Sequence, residues 1–235
     1  MSVFVILPAA GMGTRMASVG PSPKQFLSLA GAPILLHSLR AFLAVPRISA
    51  IYVAVREPEQ QRVSELIAEH HLSDKVTVVT GGDSRQDSVA NALAALPSTS
   101  DEDIVLVHDA VRPLIDSPTI DRVIDMIEKH GAAIVGMPAV DTIKQVERTA
   151  HGAIISSTIP RERVVYAQTP QGARYSLLKQ AFDEAAADEF VGTDEASLLE
   201  RAGVQVAVVP GSARNFKITQ PGDLELAEFY LGGAQ

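Results

Sequence analysis

The sequence predicts an α/β fold, a mainly parallel twisted sheet with helices on both faces. Three observations lead there. Strand-like and helix-like segments alternate through the first 140 residues. The earliest strand-like run, "VFVIL" (3–7), is continuously apolar and β-branched, as a strand buried on both faces must be. The pattern then changes near residue 141, where a polar-apolar segment around His151-Gly152 predicts a projecting β-hairpin.

The elements follow in order. "PILLHSLRAFLAV" (33–45) has apolar residues at helical spacing, with Pro33 near its start. "SAIYVAV" (49–55) reads as a strand and "EQQRVSELIAEHH" (59–71) as an amphipathic helix. "KVTVVT" (75–80) is a strand and "RQDSVANALAAL" (85–96) a helix. "DIVLVHD" (103–109) and "AAIVGMPAV" (132–140) are strands separated by the helix "SPTIDRVIDMIEKHG", which ends at Gly131. Repeated strand–helix–strand units of this kind build parallel sheets. The hairpin segment, "TIKQVERTAHGAIISSTI" (142–159), is too polar for a central strand; it suits a dimer contact or an ordinary surface hairpin. Beyond it come a strand "VVYAQTP" (164–170), a helix over 174–186, a helix opening at "TDEASLLERAG" with Thr193 as N-cap, a strand "VQVAVVP" (204–210) and a last helix from Pro221.

Composition narrows the function. The 235 residues suit one large α/β domain, and 46% apolar content supplies its core. A net charge of -8 argues against a nucleic-acid partner, which calls for a basic field. With no cysteine, disulfides, zinc–thiolate sites and Cys nucleophiles are excluded, and a reducing cytoplasm fits. No leader pattern precedes the first strand, and no apolar run approaches a membrane span, so no membrane partner is expected.

The chemistry-bearing residues lie in loops after strands, where open α/β sheets bind ligands. "PAAGMGTR" (8–15) follows the first strand. Its small residues and glycines allow close backbone approach, and Arg15 offers a cation for phosphate oxygens; a tight structural turn is the alternative. It is not a dinucleotide fingerprint, because Met16 stands where a third Gly or Ala belongs and Arg56 follows the second strand. It is not a Walker A loop either, lacking Gly-Lys-Ser/Thr. Lys24, in "PKQFL", adds a second cation suited to a triphosphate, or else is surface charge. In "TGGDSRQDSV" (80–89), Gly81 and Gly82 free the backbone, while Asp83 and Ser88 can hydrogen-bond a base or ribose. In "VHDAVRP" (107–113), Asp109 suits a Mg²⁺ ligand or a cap on the next turn, and Arg112 suits a phosphate. His108 points away from Asp109 in a strand and reads as a core or supporting residue. Lys217, in "NFKIT", is a cation in an apolar setting.

Eight motifs in order, "LPAAGMGTRM", "PKQFL", "GGDSRQDSV", "VHDAVRP", "DTIKQV", "QTPQGAR", "TDEASLLE" and "NFKITQPGDL", closely resemble the 2-C-methyl-D-erythritol 4-phosphate cytidylyltransferase family of the non-mevalonate isoprenoid pathway. The resemblance spans nearly the whole chain. It implies a Rossmann-like nucleotidyltransferase fold over residues 1–235, with a dimerisation arm at about 140–163, a homodimer, CTP as co-substrate and Mg²⁺ as cofactor. By motif, it implies nucleotide contacts at Ala9, Ala10, Gly11, Gly13, Gly82, Asp83 and Ser88. It implies transition-state cations at Arg15 and Lys24, and sugar-phosphate contacts at Asp109, Arg112, Thr142, Thr169 and Thr193. Arg161 and Lys217 would hold the substrate phosphate, Arg161 from across the dimer. The segment before Lys24 is longer than the family pattern, and Val111 replaces a common Ala. The expected reaction is CMP transfer to 2-C-methyl-D-erythritol 4-phosphate; the alternative is transfer to another polyol phosphate such as D-ribitol 5-phosphate. A non-catalytic nucleotide sensor would be free to lose Arg15 or Lys24, and both are present.

Overall fold

The computed structural model describes residues 1–11, 22–97, 99–150 and 152–233. Strand β1 (Val3–Pro8) lies inside its sheet and is buried on both faces. Val3, Val5 and Leu7 enter one apolar cluster. Phe4 and Ile6 enter another on the opposite face. That division is the two-residue period of a pleated strand, and it explains why the run contains no polar alternation.

Around β1 the chain lays down β2 (Ser28–Leu29), β3 (Ala32–Pro33), α1 (Ile34–Leu43), β4 (Ile48–Val55), α2 (Gln60–Glu69), β5 (Val76–Thr80), α3 (Arg85–Ala94) and β6 (Ile104–Val107). Next are α4 (Ser117–His130), β7 (Ala132–Pro138), β8 (Ile143–Thr149), β9 (Gly152–Ile159), β10 (Val165–Arg174), α5 (Tyr175–Ala187), α6 (Glu195–Arg201), β11 (Ala207–Pro210) and α7 (Pro221–Gly232). Among the described residues, seven strands form one sheet in the order β11-β7-β10-β6-β1-β4-β5. All neighbours pair in parallel except β10, which is antiparallel to both β6 and β7.

The amphipathic helices cover both faces, as the alternating segments predict. Leu35, Leu39 and Phe42 of α1, Val63 and Ile67 of α2, and Ile120, Val123 and Ile127 of α4 pack on one side. Val89 and Leu93 of α3, Leu178 and Phe182 of α5, and Leu198 and Leu199 of α6 pack on the other. A third, smaller cluster joins Leu29, Ile34, Val111, Ile218 and Ala227. It ties α7 and the loops after β6 and β11 to the base of α1.

The reversed strand decides where side chains reach the ligand edge. Gln171 lies level with Val107 at the end of β6. Tyr166 and Ala167 lie level with Met137 and Gly136 of β7. The amino-terminal half of β10 therefore sits at the carboxyl ends of the parallel strands, where α/β folds bind ligands. Its close approach to β6 needs Gly172, because a Cβ there would stand 2.4 Å from the Val105 carbonyl oxygen.

The structure corrects four sequence expectations in detail. β10 runs on to Arg174, although Pro170 and Gly172 signal the end of a strand. β11 is shorter than "VQVAVVP", starting at Ala207. The N-cap of α6 is Asp194, not Thr193: its carboxylate accepts from the Ser197 N–H, and the Ser197 hydroxyl closes the reciprocal bond. The short β2–β3 pair was not expected. The hairpin β8–β9 forms as expected and is exposed along nearly its whole length.

Gly172→Ala is expected to destabilise the fold by about 1–3 kcal/mol, because the new methyl group meets backbone rather than a movable side chain. Chemical denaturation of the variant checks this, and unchanged stability would show that the strands separate freely.

Candidate active site

Two cavities adjoin at the carboxyl edge of the sheet. The first, of about 230 Å³, is lined by Pro8 to Gly11, Lys24, Gln25, Gly82 to Arg85, Ser88, Asp109 to Val111 and Lys217. The second, of about 190 Å³, is lined by Arg85, Asp109, Arg112, Ala167, Thr169, Gln171, Thr193, Asp194 and Lys217. Arg85, Asp109 and Lys217 belong to both walls.

The first cavity is shaped by backbone. Ala9 donates its N–H to the Ala54 carbonyl at 2.7 Å, and the buried Gln25 amide donates to the Ala9 carbonyl at 2.6 Å. These bonds hold the chain flat after β1. Opposite, the Ser88 hydroxyl accepts from the Gly82 N–H at 3.0 Å and donates to the Ser84 carbonyl at 2.8 Å. Gly82 is required here, since a Cβ would fall 2.3 Å from that of Asp87. Ser84 caps α3 through a reciprocal bond pair with Asp87. Asp83 is left exposed at the cavity wall. Lys24 stands on a single 3-10 turn, Lys24–Phe26, and its ammonium donates to the Ile218 carbonyl at 3.3 Å.

Asp109 forms the partition between the cavities. Its Oδ1 accepts from Arg85 Nε at 3.3 Å, and its Oδ2 meets Arg112 Nε and Lys217 Nζ, each at 3.1 Å. Burial pushes this carboxyl toward protonation, but Lys217, Arg85 and Arg112 outweigh it and hold the group well below the usual carboxylate range. Arg85 in turn makes a two-pronged pair with the buried Glu195, at 2.7 and 2.9 Å. Arg112 also donates to the Asn215 carbonyl at 2.9 Å.

A line of hydrogen bonds fixes Asp109 from behind. The Thr169 hydroxyl accepts from the Asp109 N–H at 3.1 Å and lies 2.9 Å from His108 Nδ1. His108 Nε2 lies 3.0 Å from the Arg112 carbonyl. A carbonyl only accepts, so Nε2 carries the proton and Nδ1 accepts from Thr169. The ring packs edge-on against Phe42 at 4.8 Å. Full burial lowers the His108 pKa to about 4, against small contributions from Asp109 and Arg112, so the imidazole is neutral.

The sequence-predicted residues distribute as follows. Ala9, Ala10, Gly11, Lys24, Gly82, Asp83, Ser88, Asp109 and Lys217 converge on the first cavity, and Arg112, Thr169 and Thr193 on the second. Thr169 commits its proton inward to His108 rather than to a ligand. Thr142 and Arg161 line neither cavity. Arg161 is exposed and donates to the Val140 carbonyl at 2.7 Å near the base of the hairpin. Gly13 and Arg15 lie outside the described residues. Asp109 does not fit a Mg²⁺ ligand: both its oxygens are occupied by cations. Among the described residues, no three His, Cys, Asp or Glu side chains gather to hold a metal.

Sequence reasoning missed Arg85, Glu195, Gln25 and Asn215. One signal was available for Arg85. It is the first residue of a helix, where a cation opposes the helix dipole and needs a partner.

Known proteins resemble this chain over nearly its whole length. The family model described as 2-C-methyl-D-erythritol 4-phosphate cytidylyltransferase matches residues 3–233. The chain belongs to this family. A relative bearing the same name from Acidobacterium capsulatum is 66% identical over 234 residues, 98% of each chain. Another from Solibacter usitatus is 51% identical, covering 98% of this chain and 96% of its own. The Francisella tularensis member's crystal structure superposes with a TM-score of 0.82 at 34% identity, covering 97% of this chain and 99% of that one. A bifunctional member from Campylobacter jejuni superposes with a TM-score of 0.74, and there the match covers 54% of the longer chain.

The neutral His108 makes stability pH-dependent. An unfolded histidine takes up a proton near pH 6.5, whereas the folded one resists until about 4. The folded state therefore keeps its full advantage above 6.5 and loses it, on the order of a few kcal/mol, as pH falls toward 4. The stability gap between the wild type and His108→Asn should narrow over that window in urea melts. A constant gap would mean that His108 does not titrate there.

Proposed function

We propose that this chain transfers CMP from CTP to 2-C-methyl-D-erythritol 4-phosphate, releasing pyrophosphate. The observation that carries this reading is the pair of adjoining cavities with Asp109, Arg85 and Lys217 in their common wall. Each is lined by three cations, but one has the backbone-lined, more apolar form that suits a nucleotide and the other the predominantly polar form that suits a polyol phosphate. The names of the relatives support a cytidine nucleotide and 2-C-methyl-D-erythritol 4-phosphate as the two ligands.

The nucleophile is a phosphate oxygen of the polyol, attacking the α-phosphorus in line. With a second pKa of about 6, a phosphate monoester is largely ionised at neutral pH and needs no general base. This agrees with a site whose one nearby imidazole, His108, is buried and fully bonded. The remaining difficulty is the approach of two polyanions, which positioning and fixed positive charge relieve. Lys217 and Arg112 hold the incoming phosphate. Lys24, with Arg15, steadies the α-phosphate and the departing pyrophosphate. Thr193 and Asp109 contact the polyol hydroxyls, with Thr142 and Arg161 completing the pocket. Gly11, Gly13, Gly82, Asp83 and Ser88 serve the nucleotide. Mg²⁺ is expected with CTP, but Asp109 is no seat for it, and none of these steps passes through the metal.

Residues 1–235 act as one cytidylyltransferase unit, and a second copy completes it. The isolated two-stranded hairpin exposes Val146, Ile154 and Ile155. Such a hairpin is marginal alone and gains from packing against another surface. Arg161, at its base and away from the cavities of its own chain, then serves the partner's site. A cytoplasmic location accords with the absence of cysteine, and among the described residues no helix is long and apolar enough to cross a membrane.

Pyrophosphate release tests the reading. With CTP and divalent metal, 2-C-methylerythritol 4-phosphate should support release and D-ribitol 5-phosphate should not; the reverse result would overturn the substrate. Lys24→Ala should lower kcat by about 10²-fold or more with an unchanged melting transition. Near-normal turnover would remove Lys24 from the mechanism. Inactive Arg161→Ala mixed with inactive Lys24→Ala should regain activity, because one site of each mixed dimer is intact. Failure to regain it would overturn action across the dimer.

A further inference from the structure

Glu195 plays no part in the proposed chemistry, yet it is a buried carboxylate, 1% exposed, beside the second cavity. Its two oxygens take Nη1 and Nη2 of Arg85, which leaves Nε to meet Asp109. We propose that Glu195 is a positioning residue: it clamps the Arg85 guanidinium so that a single N–H reaches Asp109 Oδ1, leaving Oδ2 to Arg112 and Lys217.

Stability alone does not account for the pair. A buried arginine–glutamate pair replaced by apolar side chains of similar volume is often no less stable. What the pair does supply is direction. A guanidinium is a planar fork that matches a carboxylate or a phosphate through two parallel bonds. With Glu195 present, that fork is spent away from the ligand. Without it, the fork is free to close on both oxygens of Asp109, where it would compete with Lys217 and Arg112 for Oδ2, or to leave Asp109 for an incoming phosphate.

The clamp is also anchored. The Ala196 N–H, next along the chain, donates to the Gln171 side-chain oxygen at 3.0 Å, and the Gln171 amide donates to Asp194 at 2.9 Å. The start of α6 is thereby fastened to β10. Thr193 and Asp194, just before Glu195, line only the second of the two large cavities. Arg85, Asp109 and Lys217 line both cavities, but the start of α6 that Glu195 helps to fix meets only the second, so its larger effect falls on the polyol phosphate, a statement that rests on the substrate assignment proposed above.

The test uses wild type, Glu195→Gln, Arg85→Met and the double variant. Glu195→Gln keeps the shape and removes the charge. It should lower kcat/KM for 2-C-methylerythritol 4-phosphate by about tenfold or more and change the KM for CTP less than that for the polyol phosphate. Arg85→Met should lose a similar amount, and the double variant should be no worse than either. Glu195→Asp, which keeps the charge on a shorter stem, should recover part of the loss and stands in if Glu195→Gln fails to fold. An independent readout is the side-chain Nε–H resonance of Arg85, identified by its absence in Arg85→Met. It should be slow to exchange in wild type and shifted or lost in Glu195→Gln. Unchanged kinetics in a folded Glu195→Gln, losses that multiply in the double variant, or an unmoved Arg85 resonance would each overturn the proposal. A wild type inactive with this polyol phosphate would overturn the functional reading instead, and the resonance alone would then decide the role of Glu195.

Discussion

The structure depends on keeping one buried carboxylate ionised. Asp109 sits at the end of β6, where burial opposes its charge by several kcal/mol unless partners compensate. The compensation comes from three cations on separate pieces of chain: Arg85 at the start of α3, Arg112 in the loop after β6, and Lys217 ahead of α7. Folding around Asp109 thus draws together segments more than one hundred residues apart. The same arrangement answers a problem common to anion sites. Cations gathered for a phosphate repel one another before it arrives, and a built-in carboxylate holds them in place. With Glu195 included, this cluster of three cations and two carboxylates carries a net charge of +1, to which Lys24, Asp83 and Asp194 of the cavity walls add their own. Charge fixed in this way needs little reorganisation during reaction, which is what electrostatic catalysis requires.

The reversed strand β10 makes this possible on the polyol side. A parallel strand in its place would present only its carboxyl end to the cavity. Running the other way between β6 and β7, β10 brings Ala167, Thr169 and Gln171 to the ligand edge as consecutive outward positions. Thr169 links sheet to loop through the Asp109 N–H and His108, and Gln171 links sheet to α6. The strand is both wall and brace.

Much of this was legible in the residues. A continuous apolar run such as Val3 to Leu7 has one good solution, a strand covered on both faces, and the helices between such runs had to cover them. Gly82 and Asp109 were legible as permissive or costly choices just beyond a strand, and Lys24 and Lys217 as cations beside a glycine-rich loop or in an apolar run. Boundaries were harder. Thr193 and Asp194 are both good N-caps, and only the three-dimensional path of the loop selects Asp194. Pro170 and Gly172 signal an end to β10, but pairing on both sides carries the strand through them. Arg85 and Glu195 were not legible as a pair because 110 positions separate them and neither has a local reason to seek the other. Nothing local to Gln25 signals its bond to the Ala9 carbonyl, 16 positions away.

The small third cluster shows how packing reaches the chemistry. Val111 and Ile218 are buried together with Leu29, Ile34 and Ala227, and the Ile218 N–H donates to the Val111 carbonyl at 2.9 Å. Each of these two apolar residues adjoins a cation of the site, Arg112 or Lys217. The Ile218 carbonyl in turn accepts from Lys24. Asp223, which receives the Thr219 and Gln220 N–H groups and the Thr219 hydroxyl, turns the chain from this strip into α7. Three cations assigned to phosphate are therefore registered against one another through a few apolar side chains, one backbone bond and the bond from the Lys24 ammonium to a backbone carbonyl. Apolar burial has no direction of its own, but here it fixes the height at which Lys217 and Arg112 emerge. Backbone hydrogen bonding then fixes their spacing. The geometry that a phosphate meets is set one residue away from the charges themselves.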